Sequence, residues 1–366
     1  MRTTRTAPVA KPTAVNQVAA APAPAKTNVE VKAEGWQPKS MVRTLLSAVA
    51  PDFRHDGKVV DVGTGLASRF SVASLRGAVY TPPGAEGRAP LFFTEGANQW
   101  MEVGSKRARR HADRLGLPMA IVHNASFVKE VPGQSPADAE RNRALETVAS
   151  ALLNKNLISE QSVTNLSVAM LDAVETGKPT FFGGESQGSI LVGQAVGVAK
   201  DAYVKKHAPS GSAADQARAA AMFEQKAGAS LNVITFGNAY GNYPKGPNYL
   251  HVYMKGDPVP DNGSRPDNVP ANDKTQYLVF DQLFAGKNNF ENHNIMFLTE
   301  LLKRTSELNG LPPGDLPALF AASQKAHRSG TPLTLARPRD VKWPDDMQSL
   351  VWDQKNDVAK ALAAAR

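Results

Sequence analysis

Residues 179–197 read "PTFFGGESQGSILVGQAVG". The first part is a short apolar run of the kind that forms a buried strand. The last part has the small and apolar residues of a buried helix. Between them, Gly184-Glu185-Ser186-Gln187-Gly188 sets a serine between two glycines. That G-x-S-x-G spacing fits a nucleophile elbow, a tight strand-to-helix turn that lifts a serine hydroxyl out of the end of a sheet. Glycines flank such a serine because side chains there would collide with the adjoining strand and helix. The pentapeptide is short enough to arise by chance. The strand before it and the helix after it give it meaning, and Gly193, Ala195 and Gly197 leave that helix slim enough for close packing.

Outward from the elbow, the chain alternates strand and helix. "KVVDV", "GAVYT", "APLFFTEG", "PMAIVHN", "LNVITFG", "YLHVYM" and "QYLVF" read as further strands. Helical periodicity marks residues 101–116, with Gly116 as C-cap, and also 137–154, 159–176, 187–207, 214–228 and 294–304. Continuous apolar strands alternating with helices predict an α/β fold, a mostly parallel sheet with helices on both faces. Residues 41–308 form the predicted catalytic domain, and 309–366 a helical C-terminal extension with helices near 315–328 and 345–365. Residues 1–40, rich in Ala, Pro, Thr and Lys, cannot bury enough apolar surface to offset their ordering entropy and are predicted to be a disordered tail.

Composition removes several classes of function. The net charge is +8, yet residues 1–29 hold four basic residues and no acid, so half the excess lies in the tail. The remainder is nearly balanced, and no basic patch is interleaved with aromatics, so no nucleic-acid partner is expected. There is no cysteine, which excludes disulfides, thiolate metal sites and a cysteine nucleophile. No phosphate-binding loop or H-E-x-x-H pair occurs, and neither cofactor nor metal is expected. No apolar run is long enough to span a bilayer, so no transmembrane segment is expected, while peripheral membrane contact stays open. The tail lacks a Sec-type apolar core, which leaves cytoplasmic residence and export by a non-Sec route both open.

A serine hydroxyl needs a base, and the base needs an acid to orient it. For an elbow of this kind the chain order is Ser, then Asp or Glu, then His. His55, His111, His123 and His207 come before the required region, and His327 lies in the C-terminal extension. His251 falls inside a strand and reads as a structural histidine. His293, between a polar loop and an apolar helix, is the expected base. Asp257, three residues beyond the strand "YLHVYM", is the expected acid, with Asp261 and Asp281 as alternatives. The oxyanion hole is assigned to the backbone N–H groups of Gln187 and Ala97, with Asn98 as an alternative to Ala97.

Taken together, "GESQG", Thr235-Phe236-Gly237, Asp257 with Val259-Pro260, and the late His293 resemble the α/β-hydrolase superfamily. The likeness is to its class three (fungal-type) lipases, and the S-Q-G of the elbow is closer to cutinase-like esterases. It spans residues 77–303. The resemblance implies a serine hydrolase that cleaves an ester or lipid substrate through a Ser186–Asp257–His293 triad and an acyl-enzyme. Glu185 and Ser189 stand where those lipases carry His and Gly, and the loops expected at the site rim are polar. Two rival readings stay open. One is a catalytically silent binding protein on this fold, and the other an exported effector acting on a foreign lipid or protein.

Overall fold

The computed structural model describes residues 56–96, 101–125, 135, 137, 161–263, 274–285, 290–350 and 360. Among them eight strands form one sheet in the order β2-β1-β4-β3-β5-β6-β7-β8. The strands are β1 (Val59–Val60), β2 (Ala67–Ser68), β3 (Leu91–Thr94), β4 (Met119–Val122), β5 (Thr180–Glu185), β6 (Leu231–Phe236), β7 (Asn248–Met254) and β8 (Thr275–Phe280). Strands β3 to β8 are mutually parallel, while β1 runs antiparallel to both β2 and β4. The fold is thus α/β with a mostly parallel sheet. Every residue of β3, β4, β6 and β7 is buried, as a sheet covered on both faces requires.

The helices are α1 (Val72–Gly77), α2 (Met101–Leu115), α3 (Gln161–Thr176), α4 (Gln187–His207), α5 (Ala213–Ser230), α6 (Pro258–Gly263), α7 (Ile295–Leu308) and α8 (Leu316–Ser329). Alternation along β5 assigns them to faces. Phe181 meets Phe320 of α8, ring to ring at 5.6 Å, in a core shared with α2 and α7. Phe182 meets Phe92 at 5.8 Å on the opposite face, where α4 packs against β5 and β3 and is flanked by α3 and α5. Truncating either phenylalanine to alanine would cost about 3–5 kcal/mol. The first ten residues of α4 are buried all round, as a helix held between a sheet and two other helices must be.

Two sequence expectations are revised here. "GAVYT" is not a strand of the ladder. Only Tyr80 bridges Met119, because Pro82 and Pro83 follow and offer no N–H donors. Helix α1 precedes it instead, opened by a Ser71–Ser74 capping box. The slimness of α4 at Gly193 serves the loop after β6, since a Cβ there would lie 2.3 Å from the Tyr240 ring.

The segment after Leu308 belongs to the main core. Leu316, Leu319, Phe320, Ala336 and Met347 join it, and Trp343 packs on Phe297 at 5.6 Å. Helix α8 matches the expected 315–328, whereas Asp345–Leu350 is a 3-10 turn. The tail 1–40 and most of the expected helix 137–154 lie outside the described residues. Among the described residues, no helix is long and apolar enough to cross a membrane.

Candidate active site

Strand β5 runs into α4 with only Ser186 between them. A Cβ on Gly184 would lie 2.4 Å from the Gly188 backbone, and one on Gly188 would lie 2.2 Å from the Thr94 carbonyl oxygen. Both positions therefore exclude any larger residue, which is the physical content of the two glycines. Ser186 takes φ 51° and ψ −119°, and it alone has positive φ among the described non-glycine residues. Such a backbone costs on the order of 1–3 kcal/mol and persists only where surrounding bonds enforce it. Here the Ser186 N–H donates to the Phe236 carbonyl at 2.9 Å. The Ser186 carbonyl accepts from the Ser189 N–H at 3.0 Å and from Ser189 Oγ at 2.5 Å. From Phe181 to Val196, Ser186 is the one residue that is not buried.

Ser189, which departs from the lipase pattern, has a defined task. Its hydroxyl accepts from the Ala239 N–H at 2.8 Å, and its carbonyl accepts from the Tyr243 hydroxyl at 3.1 Å. The elbow is thereby tied to the loop after β6.

Asp257 and His293 meet beside this turn. Asp257 follows β7, is fully buried, and accepts from the Val259 N–H at 2.9 Å. His293 closes the 3-10 turn Phe290–His293 just ahead of α7. Its Nδ1 lies 2.8 Å from Asp257 Oδ2 and 3.0 Å from Oδ1. Donation from Nδ1 places the lone pair of the neutral ring on Nε2. Burial pulls the His293 pKa down, but the charge and hydrogen bond of Asp257, with the charge of Glu185 added, outweigh burial and the opposing Arg107. The net result is a pKa above the usual histidine value.

One dipeptide links the two halves. Phe236 holds Ser186, and Gly237, next in the chain, lies against the pair: a Cβ there would be 2.4 Å from His293 Cε1 and 3.2 Å from Asp257 Oδ2. Gly237 has φ 56°, so glycine is required twice over. Gly96, just after β3, also lies against the turn, placed so that a Cβ would sit 3.1 Å from Ser186 Cβ. Ala97 and Asn98 lie outside the described residues.

Glu185, next to the serine, does not turn its carboxylate to solvent. It is buried, and its Oε1 pairs with Arg107 Nη2 of α2 at 3.1 Å. Of the alternative acids, Asp281 pairs with exposed Lys255 at 2.8 Å, and the side chain of Asp261 lies outside the described residues. His251 is fully buried in β7 and shares a 2.7 Å hydrogen bond with Thr235 Oγ1. Burial lowers its pKa to about 3.

Arg107, Glu95 and Asn124 complete the surroundings, and sequence reading did not find them. Asn124 Nδ2 donates to the Glu95 carbonyl at 3.0 Å and to Gln187 Oε1 at 2.8 Å. Among the described residues, no group of three or more His, Asp or Glu side chains could hold a metal ion. A hydroxyl on a strained turn, joined through Phe236–Gly237 to an imidazole oriented by a buried carboxylate, supplies the groups that nucleophilic acyl transfer needs. No protein-family model, no curated protein and no solved structure matches this chain.

Proposed function

We propose that the protein is a serine hydrolase of the α/β-hydrolase type that cleaves carboxylic esters. The observation that carries this reading is the Phe236–Gly237 dipeptide, which joins the positive-φ Ser186 turn to the His293–Asp257 pair. Ser, Asp and His follow the chain order expected for this elbow, and the loop after β3 adjoins the serine as an oxyanion loop should.

In this reading Ser186 Oγ attacks the ester carbonyl as His293 Nε2 takes its proton. Asp257 holds the ring and stabilises the imidazolium without itself accepting the proton. The Gln187 N–H opens α4, so the positive end of a helix faces the developing oxyanion. A second N–H comes from the loop after β3, at Ala97 or Asn98. The imidazolium returns the proton to the departing alcohol, leaving an acyl-serine. Water, deprotonated by His293, then releases the acid and restores the hydroxyl. The substrate is an ester or lipid small molecule.

Labelling with a fluorophosphonate probe tests the reading. Folded wild-type protein is expected to be labelled, and Ser186→Ala is not. No labelling of the wild type, or equal labelling of the variant, would point instead to a silent binding protein on the same fold.

A further inference from the structure

We infer that Asn124 is a positioning residue that holds the Glu95–Gly96 peptide and Gln187 in register beside Ser186. The inference rests on the proposed role of Ser186 as nucleophile. The sheet order is β4-β3-β5, so the end of β4 is separated from the elbow by β3. Asn124 spans that gap. It follows β4, is fully buried, and uses Nδ2 to donate both to the Glu95 carbonyl and to Gln187 Oε1. Its own N–H donates to Glu95 Oε2 at 3.3 Å.

Each acceptor adjoins Ser186. The Glu95 carbonyl is part of the peptide that enters Gly96, and a planar trans peptide whose oxygen is held can no longer swing, so the Gly96 N–H is fixed in direction beside Ser186. Gln187 is the residue after the serine. Its side chain is drawn back toward Asn124 and buried, which leaves its backbone as the part that serves the site. The missing side chain of Gly188 lets α4 lie against Thr94 and Glu95, so the two segments are already in contact where the amide fastens them.

The residue type matters. An amide nitrogen carries two N–H donors, and here there are two carbonyl acceptors. Leucine has similar size and no donor. Aspartate would bring a third oxygen against two others. Donors must sit 2.7–3.1 Å from the oxyanion, and losing one such donor costs about 10²–10³ in kcat. Loosening both by a fraction of an ångström should cost less, about 10- to 100-fold.

The test uses full-length protein and a neutral p-nitrophenyl ester. Asn124→Leu should lower kcat about 10- to 100-fold with little change in KM. It should weaken a boronic acid inhibitor, whose tetrahedral adduct places an oxyanion in the hole, by about the same factor. Gln187→Ala keeps its backbone N–H and removes one of the two bonds. It should lose about 3- to 10-fold in kcat, and the two changes should combine less than additively. Unchanged kcat and boronate affinity in a folded Asn124→Leu protein would overturn the inference, as would a loss confined to KM. If that variant does not fold, Gln187→Ala decides alone, and unchanged kcat is the overturning result. A wild type that resists the fluorophosphonate overturns the proposed function itself. A labelled wild type with an undisturbed Asn124→Leu overturns only the role of Asn124.

Discussion

His293 and His251 are both buried, yet their protonation is driven in opposite directions. His251 sits among Tyr243, Tyr249 and Tyr277 with a threonine hydroxyl on Nδ1, and burial holds its pKa near 3. His293 has a carboxylate on the same nitrogen, and its pKa is raised despite equal burial. The partner on Nδ1, rather than depth, sets the direction in which each histidine is shifted. Under the proposed function the first belongs to packing and the second to chemistry, and substitutions should separate the two roles.

The largest effect is expected at the base. His293→Gln should lower ester turnover by up to about 10⁶-fold, measured as kcat, because the serine is left without a proton acceptor. Asp257→Asn should follow at about 10⁴-fold, since an amide favours the wrong tautomer and cannot stabilise the imidazolium. Gly237→Ala places a methyl in the space of His293 Cε1 and should cost about 10²-fold in kcat through misplacement of the ring.

His251→Phe supplies the contrast. Turnover should stay within about twofold, while stability falls by about 1–3 kcal/mol, because Thr235 Oγ1 loses its buried partner. Chemical denaturation and steady-state kinetics on the same sample would check this. A large loss of kcat without unfolding would place His251 in the chemistry and break the comparison.

The pH dependence of stability has opposite signs for the two residues. For His251, with a folded pKa near 3 against an ordinary 6.5, stability is present at neutral pH and is lost as pH falls below about 6.5. His111, also near 3 through burial and the neighbouring Arg107, adds to the same acid lability. For His293, with a raised folded pKa, the contribution is complete below 6.5 and is lost as pH rises through the folded value. His251→Phe should therefore unfold at lower pH than expected from its reduced stability at neutral pH. The smallest effect is expected for Glu185→Gln, which removes a charge that raises the His293 pKa and should move the acid limb of activity slightly downward.

Much of this arrangement is legible in the sequence because it is local. The elbow needs a strand, a spaced pair of glycines and a helix within one stretch, and each leaves a pattern. Asp257 could be found from its distance beyond a strand, and His293 from its place at the start of an apolar helix. His251 was separable because it lay inside a strand pattern. What could not be read are pairs brought together only by the sheet order. Arg107 meets Glu185 from 78 positions away, and Asn124 meets Gln187 from 63. No periodicity encodes those contacts. The C-terminal segment was likewise read as an extension, because nothing local tells that Phe320 packs edge-to-face on Phe181. The false strand at "GAVYT" shows the reverse error: β-forming residues could not extend a ladder into two prolines.

The most direct test is the rate of Ser186 phosphonylation measured against pH, with the adduct mapped by peptide mass. The account predicts a single adduct on Ser186 whose rate of formation rises through one ionisation above 6.5, the ordinary histidine value, with that midpoint lower in Asp257→Asn. An adduct on another residue, or a midpoint below 6.5 that does not respond to Asp257, would contradict it.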